Sequence, residues 1–540
     1  MKGPISKPDM VFLISLMFGA PASFGHQLTD SPDDAFDQDG TTASIQAKDP
    51  GVRGGVPGAG GAVSPIQANE LASFLEGRFR MTELEAVCDG CSNITPGSAT
   101  GQYPFLQTIT NSAGLGARFN GDQCSVCHSQ PAIGGSAGLL VPNPKAGQDQ
   151  FKTPENPMFD LIAHRNGATN KIPSFIQQFG PIRELRLLRH PDGTPDGGVH
   201  QLFTVVGRND YPTIQGCNAS VLPQPDFDKE VRNKNVAFRI PLQEFGLGLI
   251  DSLQDQEILA RHNATAAHRA ELGIVGVPNR SGNDGTITRF GWKAQNKSLI
   301  IFSGEAYNVE MGVTNEAFPQ AVEENDFCNG PKKAHPNDVM RTDTSDAANE
   351  GFTNPLHVNA DWFQFSIFMR FLDGPKPVLF SASAQRGQQV FNAIGCALCH
   401  TPQMTTAAVM STDSLENKPV DLYSDMLIHH MGPGLADHVT QGAASGDMFR
   451  STPLWGVGQR IFFLHDGRTS DLLKAIKYHA SHACREDDRT TNINANPNFG
   501  CRDLTTGAAY GDSEANAVIG RFKALAAGEK QSILDFLRSL

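Results

Sequence analysis

Two short motifs in this chain combine residue types and a spacing that are specific enough to indicate chemistry. Residues 124–128 read Cys-Ser-Val-Cys-His and residues 396–400 read Cys-Ala-Leu-Cys-His, so the pattern C-x-x-C-H occurs twice. Two thiols three residues apart on a helical turn reach the two vinyl groups at one porphyrin edge, and the following histidine can ligate the iron. A zinc site would need two ligand pairs on one metal and would not explain the second identical histidine. The motifs predict two covalently bound haem c groups, held by Cys124, Cys127 and His128 and by Cys396, Cys399 and His400.

The sixth iron ligand decides whether a haem only carries electrons or can also bind an oxidant. For the second haem, the candidates that follow the motif are Met431, Met448, His429, His430 and His479. His479 shares a predicted helical face with Leu472 and Ile476, at positions i, i+4 and i+7. That face would carry an imidazole inward among aliphatic side chains. The alternative is a core histidine bonded to a backbone carbonyl.

The elements that position these motifs are repeated along the chain. Phe119-Asn120 precedes the first motif as Phe391-Asn392 precedes the second, which indicates two duplicated modules. Near the second motif, apolar periodicity predicts a helix through Gly387 and a closing helix over residues 529–540. The two helices should pack across each other, with Gly387 permitting close approach.

The fold class expected from these patterns is mainly α, with two cytochrome c-like haem domains. The N-terminal domain is enlarged by loops and a few short strands, for which residues 201–206 and 299–302 are candidates. Residues 361–372 read instead as a buried helix.

Composition divides the chain into four segments. Residues 1–22 have the charged, apolar and small-residue regions of a signal peptide, and residues 23–68 form a flexible, Gly-rich leader. An N-terminal haem c domain over 69–375 and a C-terminal cytochrome c domain over 376–540 follow. No other stretch is long and apolar enough for a transmembrane segment. We expect a periplasmic or otherwise exported protein; an uncleaved signal anchor is the alternative.

Six further cysteines suit export, because disulfides form in oxidising compartments. Cys484 and Cys501 enclose a polar segment without apolar periodicity, so we pair them. Residues 88–91 form a C-x-x-C without a following histidine, either a local disulfide or a redox dithiol. Cys217 pairs with Cys328 by elimination.

The H-D-G-R stretch at 465–468 and the C-terminal residues 536–540 resemble bacterial di-haem cytochrome c peroxidases and MauG-like proteins. The similarity extends over roughly residues 70–540 and is closest to the di-haem oxidoreductase branch, also described as thiol oxidoreductases or peroxidases. Five further stretches carry this resemblance: 245–250, 290–294, 310–314, 431–437 and 449–456. In that superfamily the distal ligand of the second haem lies fourteen residues after the histidine of H-D-G. The resemblance therefore implies His479, and a second haem with two histidine ligands.

The first haem departs from the family pattern. In the peroxidases a distal histidine follows the first motif by about sixteen residues, but residues 129–163 contain no histidine. Either this haem is open, or a distant residue ligates it: His164, His200, His357 or Met311. Beside an open haem, Glu310 is the candidate acid/base, since a carboxylate can move a proton between peroxide oxygens. The alternative is a surface glutamate.

Trp455 lies in one of the resembling stretches and is expected against the second haem, although core packing also explains a buried tryptophan. Calcium between the haems is possible by the same resemblance. The net charge of −13 disfavours nucleic acid and suits a cationic redox protein or cytochrome as electron donor. A solvated acidic surface is the default explanation of that charge.

Together these features predict a haem-dependent oxidoreductase. Electrons enter at the C-terminal haem and are used at the N-terminal haem, where a small-molecule oxidant, expected to be a peroxide, is reduced. The alternatives are a pure electron-transfer cytochrome, an oxygenase or oxidant of protein side chains, and a haem-based binding or sensor protein.

Overall fold

The computed structural model describes residues 46–86, 111–113, 116, 118–136, 156, 158–159, 170–196, 201–202, 204–206, 224–313, 315, 317–318, 360–484 and 500–540. Helices dominate this part of the chain, and the predicted mainly helical fold with a few short strands is confirmed. The α-helices of the described residues are α1 (Ala68–Met81), α2 (Cys124–Cys127), α3 (Phe227–Arg232), α4 (Leu247–Asp251), α5 (Asp255–Ala264), α6 (Ala266–Glu271), α7 (Leu299–Met311), α8 (Asp361–Phe371), α9 (Ala382–Ile394), α10 (Leu472–Lys477), α11 (Asn516–Ala524) and α12 (Ala527–Ser539).

The strands are two to four residues long and form small separate sheets. One sheet has three antiparallel strands in the order β5-β4-β7, and β1 pairs with β2 in parallel. The remaining pairs, β3 with β6, β8 with β9 and β10 with β11, are antiparallel. The strands are β1 (Leu84–Ala86), β2 (Asn111–Ala113), β3 (Arg118–Phe119), β4 (Glu184–Leu187), β5 (Gln201–Leu202), β6 (Val205–Val206), β7 (Val236–Arg239), β8 (Met404–Thr405), β9 (Pro419–Val420), β10 (Ile428–His430) and β11 (Met448–Arg450).

The strand prediction for residues 299–302 is wrong, because these residues form the first turn of α7. The Ser298 hydroxyl accepts from the backbone N–H of Ile301 and caps the helix, which continues to Met311 and ends at Gly312 with φ +66°. Four apolar residues alone do not distinguish a strand from the start of a buried helix. The strand prediction for residues 201–206 is confirmed, since β5 and β6 lie there, and the helix predicted over residues 361–372 is present as α8.

Two main apolar clusters fill the interior of the described part. The larger surrounds α1, α7 and α8 and includes Met426 and Trp455 from beyond residue 375. The smaller surrounds α9, α11 and α12 and includes Leu272 and Ile274. Each cluster therefore takes side chains from both sides of the boundary at 375, which stays a prediction.

The predicted pair of helices around the second motif is present as α9 and α12. A Cβ built at Gly387 would lie 1.8 Å from the carbonyl oxygen of Ser532, so only glycine permits this crossing. Beside it, the rings of Phe391 and Phe536 meet edge to face at 5.5 Å. The Ser381 hydroxyl accepts from the N–H of Ala384 and starts α9. This packing sets the position of the chain where the second C-x-x-C-H motif begins.

Residues 47–67, within the segment predicted as a flexible leader, have defined partners. The Arg538 guanidinium pairs with the Asp49 carboxylate at 2.6 Å, and the backbone N–H of Lys376 donates to the carbonyl of Gly58 at 3.0 Å. Val63 is buried in the larger apolar cluster. This part of the leader lies along the folded protein.

Cys484 and Cys501 form a disulfide, as predicted. Residues 1–22, 88–91, Cys217 and Cys328 lie outside the described residues. Among the helices that are described, none has both the length and the apolar character needed to cross a membrane.

Candidate functional site

The second C-x-x-C-H motif lies at the end of α9. Gly395 ends that helix with φ +107°, and residues 396–398 form a 3-10 turn in which the N–H of His400 donates to the carbonyl of Cys396 at 2.9 Å. The turn places both cysteine side chains and the histidine on one cavity of about 220 Å³. Attachment and ligation could therefore occur at a single group in this cavity.

His479 lines the same cavity, and its ring centroid is 6.5 Å from that of His400. A metal–nitrogen bond of about 2.0 Å, with each nitrogen roughly 1.1 Å from its ring centroid, separates the centroids of two ligands on opposite sides of the metal by roughly 6.2 Å. The Nδ1 of His400 donates to the Tyr423 carbonyl at 3.1 Å and that of His479 to the Ala475 carbonyl at 2.8 Å. These bonds leave both Nε2 atoms for a metal. The spacing fits a haem between them.

Burial keeps both imidazoles in the neutral form that can bind a metal. It lowers the pKa of His400 to about 4, with a further contribution from nearby His479, and it also lowers the pKa of His479. The residues present therefore fit a haem with two histidine ligands, and His479 stays our predicted distal ligand.

The other candidate ligands of the second haem are placed differently. His429 lines the cavity, but its Nδ1 lies 2.8 Å from Glu514 and its Nε2 lies 3.0 Å from Asp425. Both ring nitrogens of His429 are thus engaged by carboxylates. His430 pairs with Asp447 at 3.0 Å. Of the two methionines, Met431 lines the cavity and Met448 does not.

His429 forms a buried charged cluster with Asp425 and Glu514, which the sequence did not indicate. Burial alone would lower its pKa, but the charge of Asp425 and the hydrogen bond to it raise the pKa well above 6.5. Its partners come from residue 425 and from residue 514. Nothing in the spacing of these residues predicts that they meet.

The first motif forms the short helix α2, closed by a hydrogen bond from the N–H of His128 to the carbonyl of Cys124 at 3.0 Å. Both cysteines and His128 line a second cavity of about 170 Å³. The Nδ1 of His128 lies 3.3 Å from the Gly135 carbonyl and 3.5 Å from a carboxylate oxygen of Glu244. Burial raises the pKa of Glu244. This histidine also has its Nε2 available for iron.

Among the described residues that line the first cavity, His128 is the only histidine. Met311 lines the cavity, whereas His164, His200 and His357 lie outside the described residues, so an open sixth position and all four candidate ligands stay predictions. The first cavity differs in this respect from the second, where two imidazoles face each other.

Glu310 lines the first cavity, as an acid/base there requires. Its carboxylate Oε2 accepts from the Asn120 side chain at 3.1 Å, and Asn120 also accepts from the N–H of Thr204 at 2.8 Å. Asn120 belongs to the repeated Phe-Asn pair before each motif. The repeat therefore positions the carboxylate as well as the haem attachment site.

Trp292 is the side chain that lines both cavities, whereas Trp455 lines only the second. The indole N–H of Trp292 donates to the Ile240 carbonyl at 2.9 Å, which fixes the ring. Trp455 was predicted beside the second haem, whereas no role was predicted for Trp292. Residues 290–294 carried the family resemblance, but no spacing in the sequence places that stretch between two sites.

Within the described residues, no group of three or more histidine, cysteine, aspartate or glutamate side chains is arranged to hold a metal ion. Calcium, whose ligands can also be carbonyl oxygens, stays a prediction.

The profile of the family described as "Di-haem oxidoreductase, putative peroxidase" matches residues 189–496, more than half of the chain. No curated protein shows significant similarity. Among solved structures, the diheme peroxidase BthA from Burkholderia thailandensis aligns at 12% identity over 50% of this chain and 76% of its own, with a TM-score of 0.25. A MauG-like protein associated with microbial copper homeostasis aligns at 18% identity over 49% and 76%, with a TM-score of 0.20.

Proposed function

Since the chain belongs to the di-haem oxidoreductase family, we propose that it is an exported di-haem c-type enzyme that reduces a peroxide. Electrons from a small redox protein enter at the haem of His400 and are used at the haem of His128. The family supports a haem-dependent oxidoreductase, and the peroxide, the direction of electron flow and the periplasmic location are our proposals.

We assign different roles to the two cavities on the basis of one observation. In the second, His400 and His479 face each other at 6.5 Å, whereas His128 is the only histidine among the described residues of the first. A haem with two imidazole ligands exchanges electrons without binding a substrate, and one with an open position can bind an oxidant. The first cavity is therefore our candidate active site.

Around the bound oxidant, Glu310 would move the proton. Its carboxylate takes a proton from one peroxide oxygen and returns it to the other as the O–O bond breaks. Two electrons from the donor and two protons from solvent convert one hydrogen peroxide into two waters. Asn120 holds the carboxylate in orientation through its amide N–H.

Trp292 is our candidate for the path between the cavities. Its ring borders both, and its hydrogen bond to the Ile240 carbonyl holds it in one orientation. A fixed aromatic ring between two redox groups shortens the gap that an electron must cross.

Export is supported by the N-terminal signal pattern and by the disulfide between Cys484 and Cys501, which persists in oxidising compartments. The net charge of −13 favours a cationic electron donor.

A pure electron carrier is the second candidate, because Met311 is buried and lines the first cavity, where its thioether would close the sixth position. The EPR spectrum of the resting protein separates the two. An open first haem gives a high-spin ferric signal beside a low-spin one, together with multiple turnovers of hydrogen peroxide and a reduced donor. Two low-spin signals without turnover would establish the carrier.

A further inference from the structure

Two buried arginines in the second cavity have no carboxylate partner among the described residues. Arg450 is 6% exposed and Arg460 is 8% exposed, and both line the cavity. The Nε of Arg450 donates to the Gly291 carbonyl at 3.1 Å, and that of Arg460 donates to the Phe462 carbonyl at 2.9 Å. The Nη2 of Arg460 is buried and has no hydrogen-bond partner in the part of the chain that the structure describes. Neither guanidinium forms an ion pair with any described residue.

Most other buried arginines of the described part have a carboxylate partner. The exception is Arg269, whose guanidinium nitrogens all donate to nearby hydroxyl or carbonyl oxygens. Arg239 contacts the Asp437 carboxylate at 2.6 Å, and Arg538 contacts Asp49 at the same distance. Burying a guanidinium without an anion is costly, and the burial lowers the pKa of both Arg450 and Arg460 to about 10. Two cations on one cavity therefore indicate an anionic group that belongs there.

A third donor lines the same cavity. The indole N–H of Trp455 is buried, and no described residue accepts a hydrogen bond from it. The ring is held between two glycines, since a Cβ at Gly246 would lie 2.4 Å from it and one at Gly374 would lie 3.0 Å from it. A ring fixed so closely cannot turn its N–H toward another acceptor.

We propose that Arg450, Arg460 and Trp455 bind the two propionate carboxylates of the second haem. This inference rests on the proposed function, because it requires a haem at Cys396 and Cys399. A haem c presents two carboxylates along one edge, which match two guanidinium groups and an indole donor in charge and in hydrogen-bonding type.

The same residues orient the haem. The guanidinium of Arg460 lies over the ring of Trp292 at 5.7 Å, and the backbone N–H of Arg450 donates to the Trp292 carbonyl at 2.9 Å. Both arginines thus contact Trp292, the residue that also borders the first cavity, so a haem held by them would be oriented relative to that ring.

The test uses the full-length protein with Arg450→Gln, Arg460→Gln and the double substitution. A haem assay first establishes that both haems are attached, and a spectroelectrochemical titration then gives the midpoint potential of the second haem. Resonance Raman bands of propionate bending provide a direct second measurement. Arg289→Gln is the matched control, because Arg289 is 9% exposed, pairs with Asp255 and lines neither cavity.

We expect each single variant to keep its haem through the thioether bonds, to show a lower potential for the second haem and to shift the propionate bands. The potential falls because a nearby cation stabilises the reduced haem, and the double variant should be lowest. An unchanged potential and unchanged bands in both single variants would overturn the inference. Absence of haem at the second motif in the unsubstituted protein would instead overturn the proposed function.

Discussion

The two cavities differ most clearly in what their charged side chains are bonded to. In the first, Arg186 pairs with Glu184 and Arg239 pairs with Asp437, so its cations are neutralised by the protein. In the second, two buried arginines have no carboxylate partner among the described residues. The same C-x-x-C-H motif thus stands in two unlike environments. The attachment motif is repeated along the chain, whereas the chemistry proposed for each site depends on residues outside the repeat.

The largest expected effect concerns the acid/base of the first cavity. Glu310→Gln should lower peroxide turnover by about 100-fold or more, because an amide cannot shuttle the proton. Steady-state assays with a reduced donor measure this. Glu305→Gln is the control, since Glu305 lines the same cavity and accepts from the Asn296 side chain. Equal loss in both variants would show that cavity charge, and not proton transfer, matters.

A smaller effect is expected at the second cavity. His479→Ala should convert the second haem from low-spin to high-spin and slow turnover by about tenfold, because electron entry is impaired. EPR and absorption spectra report the spin state. His482→Ala, three residues later with a side chain 82% exposed, should change neither. A low-spin second haem in His479→Ala would contradict the ligand assignment and remove the difference between the cavities.

The connection between the cavities is tested at Trp292. Trp292→Phe should slow electron transfer from the second haem to the first several-fold while leaving both spin states unchanged. Rapid-mixing spectroscopy of the half-reduced protein gives this rate. Trp362→Phe changes a tryptophan that lines neither cavity and should have no effect. If the two variants behave alike, the path runs elsewhere.

The smallest expected effect concerns the stability of the second module and not its redox chemistry. Gly387→Ala should destabilise the protein by about 1–3 kcal/mol, since its Cβ would overlap the Ser532 carbonyl in the crossing of α9 and α12. Gly520→Ala in α11 meets nothing within 4 Å and should stabilise by about 0.5–1 kcal/mol through helix propensity. Thermal unfolding followed by circular dichroism compares them. The same sign for both would contradict close packing at Gly387.

The sequence predicted the parts of this molecule that depend on local pattern. The apolar periodicity around Gly387 and along residues 529–540 predicted two helices that cross each other. The polar segment between Cys484 and Cys501 predicted a disulfide between them. These features need only neighbouring residues. The strand expected at 299–302 failed because a four-residue window omits the cap at Ser298.

The parts that depend on distant contacts were beyond the sequence. Trp292 lies between two cavities that are lined by segments far apart in the sequence. The partners of His429 come from positions 425 and 514. Likewise, an arginine without a carboxylate partner is recognisable only once its surroundings are known. His479 is predicted as the distal ligand through the family resemblance, because its helical spacing alone favours a core histidine.

The lining of the second cavity also bears on how the protein matures. Phe391 from α9, Val518 from α11 and Leu537 from α12 all border it, so a bound porphyrin would complete the apolar centre of this module. Formation of two thioether bonds needs open access to both thiols of the motif. We therefore expect the haem to be joined to an unfolded or partly folded chain, with the docking of α12 as a late step of biogenesis.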